Sequence, residues 1–103
     1  MHRVIERERA AIVELCRRYH VRRLDVFGSG ARSVDFDPDR SDADFVVEFD
    51  ATQSGPTLKT FFSLRRELAA LLGRPVDLVM LGSLTNPYVK AEIEQTREQV
   101  YAA

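Results

Sequence analysis

Apolar residues recur at helical spacing in three stretches of the chain, and three short apolar runs lie between turn residues. The first stretch predicts an amphipathic helix over about residues 3–19, and the second predicts one over about 58–72 that ends at Gly73. Asn86 followed by Pro87 is typical of a helix start, because the Asn side chain caps the first turn and proline needs no N–H there. One apolar stripe predicts that this last helix extends through Val89, Ile93, Thr96 and Val100.

The three apolar runs predict β-strands at Leu24–Phe27, Ala43–Phe49 and Pro75–Leu81. Residues 30–41 carry Asp, Pro and Ser and predict a loop after at most one helical turn. The order of elements indicates an α/β (α+β) fold, in which about four helices, counting that turn, pack on a small three-stranded sheet. A chain of 103 residues is long enough for one core, so residues 1–103 are expected to form a single domain.

Composition narrows the classes of function. Of the residues, 45% are apolar and 30% are charged, which is typical of a folded protein and not of a disordered one. With 15 basic against 16 acidic side chains, the chain lacks the basic excess that non-specific nucleic-acid binding needs. No apolar run reaches the roughly 18 residues of a membrane-spanning helix, and a lone cysteine, Cys16, excludes an intrachain disulfide. We therefore expect a cytoplasmic protein that does not contact a membrane.

Three aspartates lie where carboxylates are uncommon. Asp42 and Asp44 are two residues apart at the start of a predicted strand, so strand alternation puts both on one face. Asp77 interrupts an apolar strand, where a charge is costly unless it is paired or bound to metal. A divalent cation would relieve the repulsion between these groups, and oxygen ligands favour magnesium or manganese. Each signal alone also has an ordinary interpretation, in which the pair caps a turn or faces solvent and Asp77 pairs with Arg74.

Gly28 and Ser29 follow directly after an apolar strand. Glycine lets the backbone approach a ligand closely, and a serine hydroxyl with free N–H groups suits phosphate oxygens. A phosphate-binding turn beside an acidic pair indicates phosphoryl or nucleotidyl transfer. A dinucleotide-binding fingerprint does not fit, because Pro38 and the acidic loop around it cannot supply the long helix that must follow the glycines. An EF-hand does not fit either, since the glycine it requires is Arg40 or Asp42, depending on the register.

The same residues carry a resemblance to a known family. The segments LDVFGSGAR (24–32), SDADF (41–45) and VDLV (76–79) resemble the signature of the minimal nucleotidyltransferases of the DNA polymerase beta superfamily. That signature is Gly-Ser, a spacer, Asp-x-Asp and a third Asp on a later strand. The resemblance spans about residues 22–81 and is closest to the small stand-alone MNT or MntA type, which are antitoxins encoded beside HEPN-domain ribonuclease toxins.

The resemblance implies a role for each matching residue. Two magnesium ions would be held by three catalytic carboxylates, which are Asp42, Asp44 and Asp77. The triphosphate of ATP would be contacted by a second set, which is Gly28, Ser29 and Arg32. Asp77 would serve the cation that activates the attacking hydroxyl. Two departures concern the nucleotide loop: twelve residues separate Ser29 from Asp42 where the family has about ten, and Ser33 stands where many members have glycine.

The family also implies a partner. Larger members carry an extra helical domain that positions the acceptor, so here we expect the acceptor to be presented by another macromolecule. The family precedent is transfer of AMP to a tyrosine of the HEPN toxin, which silences the toxin. An alternative stays open from the residues alone: the protein could be a non-catalytic antitoxin that masks its partner by binding.

Overall fold

A computed structural model describes residues 3–28, 43–50, 58–80, 82 and 84–103 of the protein. Its elements in chain order are α1 (Arg3–Arg7), α2 (Arg9–Arg18), β1 (Val21–Phe27), β2 (Ala43–Phe49), α3 (Leu58–Leu72), β3 (Val76–Met80), α4 (Pro87–Thr96) and β4 (Glu98–Ala102). The predicted loop and helical turn at 30–41 lie outside the described residues. Among the helices described, none is long and apolar enough to cross a membrane.

The strands form one mixed sheet in the order β3-β2-β1-β4. β1 is antiparallel to both β2 and β4, whereas β2 is parallel to β3. The predicted bounds of β2 are confirmed, and β1 begins earlier at Val21. β3 begins one residue later than predicted, at Val76, and its predicted last residue, Leu81, lies outside the described residues. The α+β class is therefore confirmed, with four strands in the sheet where three were predicted.

The fourth strand replaces the end of the predicted last helix. The helix stops at Thr96 because Arg97 adopts an extended conformation, with φ −61° and ψ 139°. The residues after it pair with β1, in a register that joins Asp25 to Gln99 and Leu24 to Tyr101. Val100 is thus buried by the sheet and not by a helix stripe, because pairing with a distant strand overrides the local helical period.

The first helix is predicted as one segment but is interrupted at Glu8, which separates α1 from α2. The interruption is slight, since Glu8 N–H still donates to the Val4 carbonyl and Ile12 N–H donates to the Glu8 carbonyl. Cys16 lies on the buried face of α2, as predicted for a small apolar residue. Burial raises the pKa of its thiol to about 12.

The two faces of the sheet differ in what covers them. The larger core lies against α1, α2 and α3, and it contains Ile5, Ile12, Leu24, Phe45, Leu64, Leu68 and Leu78. The opposite face carries a smaller cluster of Phe27, Val46 and Ile93, through which α4 packs on the sheet. The predicted cap of α4 is confirmed, because the Asn86 side chain accepts hydrogen bonds from the N–H groups of Tyr88 (2.9 Å) and Val89 (3.4 Å). α4 covers only part of this face of the sheet, and the predicted acidic site residues, Asp44 and Asp77, lie beside the helix.

Candidate functional site

The site begins at Gly28, the residue at which the chain leaves β1. Its φ is +68°, in the left-handed region that favours glycine, and the residue is buried. A Cβ placed on Gly28 would lie 3.1 Å from Asp44 Oδ2 and 3.1 Å from Glu92 Oε1. The sequence prediction of a turn that allows close approach at Gly28 therefore agrees with this backbone, and what approaches it here is a pair of carboxylates.

Asp44 and Asp77 are brought together by the pairing of their strands. Asp44 is the register partner of Phe27 on β1 and of Asp77 on β3. Residues directly opposite each other in neighbouring strands point to the same face, so the two carboxylates lie on the face that α4 partly covers. Three of the predicted site residues, Gly28, Asp44 and Asp77, thus meet at one end of the sheet.

The environment of Asp77 differs from the one that its sequence suggests. Although apolar residues flank it along β3, Asp77 itself is exposed, because alternation turns Val76 and Leu78 toward the core and Asp77 away from it. The cost of desolvating its charge is therefore not the reason to expect a bound cation. The reason that remains is its position opposite Asp44, since two adjacent carboxylates repel unless a cation lies between them.

Glu92 is a third carboxylate at this site, and the sequence analysis missed it. It lies on α4, one residue before the buried Ile93. Its Oε1 and Asp44 Oδ2 both lie next to the position that a Cβ on Gly28 would occupy. Nothing in the local pattern distinguishes Glu92 from Glu94, the other exposed acid of this helix. Glu92 reaches the site only because α4 packs on the sheet. Helical periodicity alone does not predict where that packing occurs.

Two consecutive residues at the end of α4 bind the end of β1. Thr96 Oγ1 accepts a hydrogen bond from Gly28 N–H at 2.8 Å and donates one to the Glu92 carbonyl at 2.7 Å. Arg97 binds the Asp25 carboxylate, with both Nε and Nη2 at 2.6 Å from Oδ2. The position of α4 relative to Gly28 is therefore fixed by direct polar contacts.

Asp25 is the one buried charged residue among those described. Its Oδ2 is bound by Arg97, and its Oδ1 accepts a hydrogen bond from Arg23 Nε at 3.0 Å. The hydrogen bond with Asp25 raises the pKa of the Arg23 guanidinium. Both oxygens of the carboxylate are paired within the protein, so Asp25 supports the end of β1 and is not a candidate ligand.

Comparison with known proteins identifies the family. The family model for the nucleotidyltransferase domain matches residues 9–100. The chain belongs to the nucleotidyltransferase family. The protein adenylyltransferase MntA of Thermococcus cleftensis is 41% identical to this nucleotidyltransferase over 88 residues, which are 85% of this chain and 81% of the relative.

Two solved structures have a similar fold. A candidate minimal nucleotidyltransferase matches with a TM-score of 0.75 and 31% identity, covering 95% of both chains. A complex of a tri-AMPylated HEPN toxin with its MNT antitoxin, from Shewanella oneidensis, matches with a TM-score of 0.67. The latter is 20% identical and covers 96% of this chain and 73% of that one, so it supports the fold alone.

The described carboxylates are of a chemical type that suits a divalent cation. Asp44 and Asp77 offer only oxygen donors, which suit magnesium, and they lie beside a glycine turn. Within residues 3–28, 43–50, 58–80, 82 and 84–103, no three His, Cys, Asp or Glu side chains are arranged so that together they could hold a metal ion. The third predicted ligand, Asp42, lies outside these ranges, as do Ser29 and Arg32, so their roles stay predictions.

Proposed function

We propose that this nucleotidyltransferase transfers AMP from ATP to a hydroxyl group of a partner protein, a HEPN-type toxin, and so neutralises it. The observation that carries the proposal is the register pairing of Asp44 with Asp77, next to the carboxylate-lined turn at Gly28. Two comparisons support the choice of acceptor: the relative named as a protein adenylyltransferase, and the tri-AMPylated toxin bound to an antitoxin of this fold.

The chemistry is an in-line displacement at the α-phosphorus of ATP. The acceptor oxygen forms a new bond to that phosphorus, while the bond to the oxygen bridging the α- and β-phosphates breaks. Pyrophosphate leaves with the bonding electrons, and the hydroxyl proton passes to solvent. Asp42, Asp44 and Asp77 would hold two magnesium ions, which, when bound, neutralise the developing charge on the attacking and leaving oxygens.

The remaining roles divide between nucleotide and acceptor. We assign the triphosphate to the turn formed by Gly28 and Ser29, with Arg32 as a further phosphate or loop contact. Asp77 is exposed at the edge strand, where an acceptor side chain from a second protein can reach it. We assign that acceptor as a tyrosine of the toxin, which is what the resemblance to the family implies.

The direct test is the mass of the partner. A HEPN-type toxin encoded beside this chain is incubated with the protein, ATP and magnesium, and its intact mass is measured. We expect an increase by one or more AMP units, and peptide mapping should place it on tyrosine. In EDTA the increase should disappear.

Two substitutions separate the roles of the carboxylates. Asp77→Asn should preserve binding of MgATP, measured by calorimetry, but lower the transfer rate about a thousandfold, because several kcal/mol of transition-state stabilisation is lost. Asp44→Asn should weaken both binding and transfer. Glu6→Gln removes one carboxylate from exposed α1, which packs on the other face of the sheet, and it should leave both measurements unchanged.

The masking alternative makes the opposite forecast. If neutralisation of the toxin requires only binding, growth rescue should survive Asp77→Asn and should occur without any change in mass. Rescue without a mass shift in the wild-type protein would contradict the enzymatic proposal.

A further inference from the structure

The hydroxyl of Thr96 makes two hydrogen bonds that differ in kind. A hydroxyl has a single hydrogen, and in Thr96 it is directed to the Glu92 carbonyl, 2.7 Å away within the same helix. The oxygen is therefore left as an acceptor, and it takes the N–H of Gly28 at 2.8 Å, from a residue 68 positions earlier in the sequence. The hydrogen bond to Glu92 therefore orients the hydroxyl so that its oxygen can accept the N–H of Gly28.

This arrangement changes what Gly28 can do for a nucleotide. Because its N–H is already donated to Thr96, Gly28 does not have that group available for a phosphate oxygen. Its contribution is the left-handed backbone conformation and the absence of a side chain beside Asp44. A phosphate contact at this turn must then come from a group other than the N–H of Gly28.

A purely structural role for Thr96 is the simplest competing explanation. Threonine often bonds the carbonyl four residues earlier in a helix, and such a bond alone means little. The end of α4 is, however, already bound to β1 through Arg97 and the buried Asp25. The contact of Thr96 is made instead to the backbone N–H of Gly28, so its specific effect is on the conformation of Gly28.

We propose that Thr96 is a positioning residue of the nucleotide site. Its hydroxyl holds the N–H of Gly28 and so fixes the backbone of this residue beside the Asp44 and Glu92 carboxylates. This inference rests on the proposed function of the site as a nucleotide-binding one. It assigns to α4 a part in catalysis that its sequence, with no residue of the family signature, does not suggest.

The test compares three variants of the full chain. Thr96→Val removes the hydroxyl and keeps the shape, Thr96→Ser keeps the hydroxyl, and Thr85→Val makes the same chemical change at an exposed position outside the site. The affinity for MgATP is measured by calorimetry well below the unfolding temperature. We expect Thr96→Val to weaken binding about tenfold, as the loss of one hydrogen bond to a constrained group predicts, and Thr96→Ser to stay within about twofold of wild type. Thr85→Val should bind as wild type does.

Two further readouts distinguish positioning from stability. In the transfer assay, Thr96→Val should raise KM for ATP more than it lowers kcat. By NMR, the Gly28 amide should exchange slowly with solvent in wild type and in Thr96→Ser, and faster in Thr96→Val.

Several results would overturn the inference. Unchanged MgATP affinity in Thr96→Val would do so, as would equal losses in Thr96→Val and Thr96→Ser or slow Gly28 exchange in all variants. Failure of the proposed function is distinguishable from these: wild type would then bind MgATP but transfer nothing to the toxin, while the Thr96 comparison of affinities would still hold. A wild-type protein that binds no nucleotide would contradict both.

Discussion

Replacing Arg97 by methionine should destabilise the protein by about 3 kcal/mol, because it removes one partner of a buried ion pair. The Asp25 carboxylate is fully buried, and the Arg97 side chain is only 17% exposed. Methionine preserves much of the apolar stem of arginine, so lost packing contributes little to the effect.

The magnitude follows from what Asp25 keeps after the substitution. Breaking a buried pair costs about 3–5 kcal/mol when it leaves a charge uncompensated. Here Arg23 still binds Oδ1 at 3.0 Å, but its side chain is 41% exposed and compensates only in part. We therefore expect the lower end of that range, which corresponds to a fall of roughly 10–20 °C in the melting temperature of a domain this small.

The assay is urea unfolding at pH 7, followed by far-ultraviolet circular dichroism. A matched control is Arg17→Met, which breaks an exposed pair with Glu14 in which both side chains are more than 60% exposed, and it should cost less than about 1 kcal/mol. The double variant Asp25→Leu with Arg97→Met removes the buried charge as well, and it should recover most of the loss. A loss below about 1 kcal/mol in Arg97→Met, or a double variant no more stable than the single one, would refute the reasoning.

Two further predictions concern Gly28 and Cys16. Gly28→Ala should lower the free energy of unfolding by about 1–2 kcal/mol because of its left-handed φ. It should also weaken MgATP binding, because the two carboxylate oxygens 3.1 Å from its Cβ would have to shift by a few tenths of an ångström. Gly73→Ala has the same strain, with φ +66° and nothing within 4 Å, and should lose stability alone. Burial raises the pKa of the Cys16 thiol to about 12, whereas in the unfolded chain it is near 8.5. The buried neutral thiol therefore contributes fully to stability below pH 8.5, and this contribution is lost as the pH rises toward 12. Between pH 8 and pH 10, urea unfolding should show a loss about 2 kcal/mol larger in wild type than in Cys16→Ala, and equal losses would contradict the assignment.

Local signals predicted those parts of the fold whose cause is local. β2 has its predicted bounds because a β-rich run of residues is a local signal, and the Asn86 cap forms because its partners are two and three residues away. β4 could not be predicted in this way, since the spacing of Ile93, Thr96 and Val100 also fits a helix. What decides against the helix is pairing with β1, which no window of sequence around residue 100 contains.

The residues of the candidate site also differ in whether a local signal predicts them. Gly28, Asp44 and Asp77 were predicted because each stands out within its own strand or turn. Glu92 and Thr96 were missed because each resembles its helical neighbours and reaches the site only through the packing of α4. The desolvation argument for Asp77 was wrong for a related reason: apolar neighbours along a strand do not bury a residue whose side chain points to the other face.

The position of β4 has a consequence for the order in which the chain folds during synthesis. β1 lies in the interior of the sheet, yet one of its two neighbours is β4, the last strand described, and the Asp25 carboxylate meets Arg97, which lies 72 positions later in the sequence. A nascent chain that has emerged through α3 and β3 exposes one hydrogen-bonding edge of β1 and leaves Asp25 without its main partner. Closing so long a loop is slow compared with forming local helices. We therefore expect ribosome-bound chains to remain protease-sensitive until residues 97–102 have left the exit tunnel, and then to become resistant in a single step.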